Sequence, residues 1–340
     1  MSASNSSPVA QYRRLGATRG ACLVGMVLLV GAAALAALSL GGADLSPVES
    51  LRALFGSAEK GRLIVRELRL PRVLMALLVG SGLAMGGTVC QAVLKNPLAS
   101  PFTLGVASGA AFGAVLAIVG EASAGGVAAA AFAGALATAV VVIGVARVRG
   151  ATPETLILSG VALMFLFSAC TSLLQYVSSM QQVAAIVFWM FGSLSKAGWR
   201  EILLALPMIG LPALWLMRRA WDLNLLAAGE DLARTIGVNA NRVRHTGLFL
   251  SALMCAGAIA FTGVIGFVGL MAPHMGRMLL GNDHRFLIPA SGLIGGLLVV
   301  VADTLGRVLW APQVIPIGIM TSFIGVPFFV YLLLRRREAV

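Results

Sequence analysis

Charged side chains are scarce in this sequence. They make up 11% of its 340 residues, against about 25% in soluble proteins. Acidic residues are scarcer still, with 13 Asp and Glu against 25 Lys and Arg. Lysine occurs only at Lys60, Lys95 and Lys196, never after a glycine. No G-x-x-x-x-G-K-[ST] phosphate cradle can therefore be drawn, so the chain does not hydrolyse nucleotide by that route. HExxH, G-x-S-x-G and paired carboxylates facing each other within an apolar run are missing too, which leaves an enzyme reading unsupported. The four cysteines, Cys22, Cys90, Cys170 and Cys255, each stand alone in an apolar run. With no CxxC pair and no histidine at ligand spacing, they read as small buried hydrophobes. No cofactor, metal site or disulfide framework is expected.

What fills the chain instead is apolar. Hydrophobic residues reach 59% and the mean hydropathy is +0.94, a composition that marks an all-α polytopic membrane protein. Glycine contributes 40 residues, well above the usual ~7%, as close-packed helices in lipid require. The net charge of +12 does not point to nucleic acid, because the charges sit in short segments between apolar runs.

Ten apolar runs are candidate spans, near 21–40, 71–94, 101–120, 126–146, 155–176, 201–217, 244–263, 266–280, 286–305 and 315–334. The first could be a cleaved signal peptide, with small residues following at Gly42 and Ala43. Its apolar stretch exceeds the roughly 7–15 residues of a signal core, which favours an uncleaved helix. The run at 266–280 is short and reads as a partial span, and 183–194 as a half-helix. The expected organisation is a polar tail at 1–19, one transmembrane domain over 20–335 with a long loop at 218–243, and a short tail at 336–340. Both termini then lie on one side, and 16 of the 25 Lys and Arg fall there, which makes that side cytoplasmic. The other side holds Arg52, Lys60, Arg62, Arg66, Arg69, Arg72, Lys196, Arg200 and Arg307. Six of these lie between 52 and 72, and an acidic docking partner would account for such a cluster.

Secondary transporters bury ionisable residues in mid-span, and these runs are nearly bare. Asp303 and Arg307 read as an i,i+4 pair. Thr152, Pro153 and Glu154 read as a helix N-terminus. Energy for transport is therefore expected from another chain. The stretch Gly229, Glu230, Asp231, Leu232, Ala233, Arg234, Thr235, Ile236, Gly237 has acids first, Arg later and glycine last, the order of a short helix. Leu232 and Ile236 share one face, which suits either a bilayer surface or a partner's groove, the latter slightly favoured.

An ordered set of motifs now completes the picture. Arg69-Leu-Pro-Arg72 precedes Gly80, Gly82, Gly86 and Gln91. Asn96-Pro-Leu-Ala-Ser-Pro101, Leu104-Gly105 and Ser108-Gly-Ala110 follow. Then come Gly257-Ala-Ile-Ala-Phe261, Gly266-Phe-Val-Gly-Leu270, Pro273-His274, Asp283-His-Arg285, Ala302-Asp303, Pro316-Ile-Gly318 and Gly325-Val-Pro-Phe328. From about residue 60 onward the chain resembles FecCD-type permeases of binding-protein-dependent ABC importers for ferric siderophores, haem and cobalamin. The resemblance implies a type II ABC importer permease in the inner membrane, with ten helices and a pathway on the two-fold axis of a homodimer. It also implies two cytoplasmic ATPase subunits and a periplasmic or lipoprotein substrate-binding protein. By the same resemblance Arg69, Arg72 and Arg307 meet acidic residues of that protein, with interfacial anchoring as the less favoured alternative for Arg69 and Arg72. Gly229, Glu230, Asp231, Leu232, Arg234, Ile236 and Gly237 form the ATPase-coupling segment, and Thr152, Pro153 and Glu154 the inner gate. Pro153 and Glu154 depart from the small hydroxyl residues of the cobalamin importer. The expected cargo is a ferric chelate, siderophore or haem, with cobalamin as the alternative and an ATP-independent secondary transporter as the alternative of another class. Gly82 with Gly86 and Gly105 with Gly109 read as helix-contact pairs. His274 reads as a packing histidine at the start of a short helix.

Overall fold

The computed structural model describes residues 8–41, 45–56, 61–149 and 152–335. Lys60 of the basic cluster, Gly42 and Ala43, and the segments 1–7 and 336–340 lie outside the described residues. Helix α1 (Pro8–Ser39) begins well before its apolar run, so residues 8–19 are helical. After α2 (Pro47–Phe55) a π-helical turn, Ile64–Arg69, leads directly into α3 (Leu70–Val93). Helices α4 (Val106–Val119), α5 (Ala124–Arg149), α6 (Pro153–Val177), α7 (Met180–Met190) and α8 (Trp199–Arg218) follow. The segment expected as a loop at 218–243 is largely helical, with α9 (Ala220–Ala228) running on from α8 and α10 (Glu230–Thr235) behind it. The chain closes with α11 (Ala240–Thr262), α12 (Val268–Leu280), α13 (His284–Val308) and α14 (Ile317–Arg335).

Each of the ten apolar runs coincides with one helix. Among the described residues, seven stretches are long and apolar enough to cross a bilayer, and three shorter apolar helices accompany them. Helix α12 rises only about 20 Å at the α-helical pitch, so it spans part of the ~30 Å of hydrocarbon.

Local chemistry sets the helix starts. Ser46 and Glu49 form a capping box on α2, as Ser179 and Gln182 do on α7. Thr152, Asn239 and Asp283 cap α6, α11 and α13 with side-chain oxygens, each satisfying a donor that lipid could not.

Helix α3 is the hub, packed against α8, α11, α12 and α13 and buried along most of its length. Glycine permits the approach. A Cβ at Gly80 would overlap the Gly295 carbonyl of α13, and one at Gly87 the Gly269 carbonyl of α12. These contacts are tighter than the expected Gly82 and Gly86 pair, which meets Ile209 and Ser251. Gly105 departs from the helix-pair reading: it caps α4 at φ +76°, a left-handed conformation that favours glycine. Gly109 does pack helix on helix, against Gly134 and Thr138 of α5. Helix α12 starts five residues before Pro273, which places His274 in mid-helix rather than at a helix start. The ring of Pro273 leaves the Gly269 carbonyl without its helical donor, and that carbonyl turns toward Gly87.

Candidate functional site

At one end of the bundle, two arginines converge on the last turn of α1 and a third lies beside them. Arg69 is buried and donates from Nη1 to the carbonyls of Leu38, at 2.7 Å, and Ser39, at 2.9 Å. Arg307 donates to the carbonyls of Leu40, at 2.9 Å, and Ala37, at 3.2 Å. Helix C-termini leave such carbonyls without partners, and cations suit that end of the dipole. Gly41, at φ +152°, lies against both guanidiniums. The expected Asp303–Arg307 pair is present, with Nε 3.2 Å from Oδ2. Arg72 reaches the same carboxylate with Nη2 at 2.8 Å and Nε at 2.9 Å. The three arginines proposed for docking thus lie within one cluster, where a single buried carboxylate serves two of them.

A cavity of about 1560 Å³ opens beside this cluster, larger than the roughly 300–1,000 Å³ of ordinary small-molecule sites. Arg72 and Asp303 form part of its wall. Aromatic rings supply much of the rest, from Phe132, Phe188, Trp189, Phe191 and Phe261, together with the exposed cations Lys196 and Arg200. The end of α11 at Thr262 also borders it.

Helices α11 and α13 carry the frame to the opposite end, since Arg244 and Thr262 are roughly 27 Å apart along the axis at the α-helical rise. There α10 stands between Gly229, at φ +142°, and Gly237, at φ +87°. Ala233 is buried, while Leu232 and Ile236 are 47% and 56% exposed. Asp231 and Arg234 are exposed as well. Glu230 turns inward and pairs with Arg244 of α11, whose guanidinium is buried and also bonds Asn241. That partnership was not legible in the sequence. Arg277 near the end of α12 donates to the Oε1 of Gln91 on α3.

Thr152 accepts from the Thr155 amide at 3.3 Å, with Pro153 in the first turn of α6. Thr152 and Glu154 are both exposed.

A polar node ties α9 to α13 at this end. Asn224 donates to Asp283 at 2.8 Å and accepts from the His284 amide at 2.8 Å. The Arg285 guanidinium, then the Asn224 amide, hold the Asp283 carboxyl down at about 2. Among the described residues no group of His, Cys, Asp and Glu could hold a metal ion. Cys90 and Cys255 are buried, Cys22 and Cys170 partly so, and all four are free thiols. His274 stands edge-on to Phe328 with centroids 6.2 Å apart.

Comparison with known proteins places this architecture. The model of the FecCD transport family matches residues 26–335. The chain is 43% identical over 286 residues to the cobalamin import system permease protein of Halobacterium salinarum, covering 84% of this chain and 76% of that one. It is 38% identical over 321 residues to the hemin transport system permease protein of Yersinia pestis, with 92% and 93% covered. A solved structure described as an inward-facing metal-chelate type ABC transporter superposes with a TM-score of 0.82 at 35% identity, covering 93% of this chain and 99% of that one.

Proposed function

The chain belongs to the FecCD transport family of ABC transporter permeases, and we propose that it forms the membrane pathway of an importer for a ferric chelate, a siderophore or haem. The observation that carries the reading is the separation of two surfaces along α11 and α13. A large aromatic-walled cavity lies at the Asp303 end, and an exposed apolar pair, Leu232 and Ile236, at the other.

In this reading Leu232 and Ile236 seat in a groove of a cytoplasmic ATPase, with Asp231 and Arg234 at its rim. Gly229 and Gly237 delimit the moving piece. ATP binding displaces α10, and the Glu230–Arg244 pair transmits the displacement to α11, whose far end borders the cavity. Thr152, Pro153 and Glu154 act as the inner gate at the start of α6. Arg69, Arg72 and Arg307 receive acidic residues of a substrate-binding protein at the outer face. Arg72 and Arg307 set two positive charges against the one carboxylate of Asp303, an excess that an acidic partner complements. A second copy of the chain completes the pathway, two ATPase subunits power it, and both termini are cytoplasmic, in an inner membrane. The region 20–335 works as one permease domain.

The metal-chelate description of the solved relative and the hemin cargo of the Yersinia relative support the iron reading. The Halobacterium relative supports cobalamin as a second one. Uptake of labelled ferric siderophore, haem and cobalamin, offered in parallel to the assembled importer, separates them. Uptake of one iron compound is expected, and uptake of cobalamin alone would overturn the choice of cargo.

A further inference from the structure

Helix α1 measures the membrane. At the α-helical rise, Arg19 lies about 30 Å along the axis from the carbonyls that Arg69 and Arg307 cap, which matches the thickness of the hydrocarbon layer. The cluster at the end of α1 marks one interface, so Arg19 sits at the other. Helix α1 is peripheral, with Val24, Val27, Leu28 and Leu29 all exposed.

A second arginine joins Arg19 at that depth. The Nη1 of Arg19 is 3.6 Å and the Nη2 of Arg285 is 2.6 Å from the Oδ2 of Asp283. Two guanidiniums therefore meet at this one carboxylate. Both also lie against aromatic rings. The guanidinium carbon of Arg285 is 4.9 Å from the centroid of Trp221 and 5.8 Å from that of Phe286, while that of Arg19 is 5.7 Å from Phe286. Both guanidiniums thus stand within cation–π range of a ring. Trp221 is exposed, as suits the headgroup level.

We propose that Arg19, Arg285, Trp221 and Phe286 bind the phosphodiester of an anionic phospholipid. The two guanidiniums take the phosphate oxygens, and the rings stand against the glycerol and upper acyl chain. The depth along α1 and the apolar flank of Val24 to Leu29 select a lipid over a soluble phosphate. This assignment does not depend on the cargo or on the coupling segment.

Native mass spectrometry of the full-length protein, purified with mixed phosphatidylglycerol and phosphatidylcholine, tests it. Wild-type protein is expected to retain phosphatidylglycerol selectively. R19Q/R285Q should lower that retention by about tenfold or more, since each basic residue near an anionic surface is worth ~1 kcal/mol. R62Q, at the opposite interface, should leave it unchanged. Should R19Q/R285Q fail to fold, R285K and W221A decide: each should reduce retention several-fold, and unchanged retention in both overturns the site. Equal retention by a folded R19Q/R285Q overturns it as well. So does displacement of the lipid by millimolar inorganic phosphate, which would make the occupant a soluble anion.

Discussion

Arg72 grips Asp303 with two nitrogens, Nη2 2.8 Å from Oδ1 and Nε 2.9 Å from Oδ2, across 231 positions of sequence. Arg307 shares the same carboxylate, so one buried acid holds α3 and α13 together beside the cavity. Removing it leaves two guanidiniums with no carboxylate. Breaking a buried pair from one side costs about 3–5 kcal/mol. D303A should therefore lower the thermal midpoint in detergent sharply, and D303N by less. A midpoint unchanged in both would mean that the contact is not made in the folded protein.

The docking role of the arginines has a separate readout. R72K/R307K keeps the charge and loses the forked geometry. Binding-protein affinity should fall about tenfold, which is ~1.4 kcal/mol. Charge reversal at Arg307 should weaken binding further, and more so at low salt. Arg69 is a poorer probe, because it is the buried one of the three. Affinity unchanged in R72K/R307K would leave these residues as internal clamps only.

On α10, exposure separates coupling from stability. L232A/I236A removes two exposed side chains and should leave the thermal midpoint within about 0.5 kcal/mol of wild type, yet cut ATP-driven uptake at least tenfold. E230Q strands the buried Arg244 and should destabilise by about 2–4 kcal/mol. Intact uptake in a folded L232A/I236A would remove α10 from the coupling role.

Close helix approach at α3 predicts opposite outcomes for two glycines. G80V drives a side chain into the Gly295 backbone and should cost about 1–3 kcal/mol or more. G144A, on α5, meets nothing within 4 Å and should be neutral or slightly stabilising. Similar thermal midpoints for both variants would contradict the packing.

Acid should release the node at the start of α13. The Asp283 carboxyl is held at about 2, below the ordinary ~3.9 of an aspartate. A depressed value stabilises the fold above about pH 4, and that contribution is lost as pH falls toward 2. Arg285 stacks on Trp221, so tryptophan fluorescence should change within that window. D283N should lack the step, and an identical titration in D283N would assign it to another group.

The elements legible in the sequence were those whose signal is local. Apolar run length located ten apolar helices, seven of them long enough to cross a bilayer, and glycines at 229 and 237 bracketed α10. Thr152, Pro153 and Glu154 marked the start of α6 by helix N-terminal chemistry alone. What stayed hidden depended on partners far apart in the chain. Asp303 announced Arg307 four residues on, but nothing local announced Arg72. Glu230 looked like a dipole-stabilising acid, and only the packing of α10 on α11 turned it toward Arg244. The same limit applies to glycine: spacing singled out Gly82 and Gly86, whereas the tightest contacts of α3 fall at Gly80 and Gly87, where α13 and α12 happen to cross. Helix α9 was passed over because its apolar residues lack a clean periodic face.

The most direct measurement of the central claim is uptake into proteoliposomes that hold this chain and its binding protein, with and without the cognate ATPase. The expected result is uptake only with the ATPase and hydrolysable ATP, abolished by L232A/I236A. Uptake that persists without the ATPase, driven by an ion gradient, would contradict an externally powered permease.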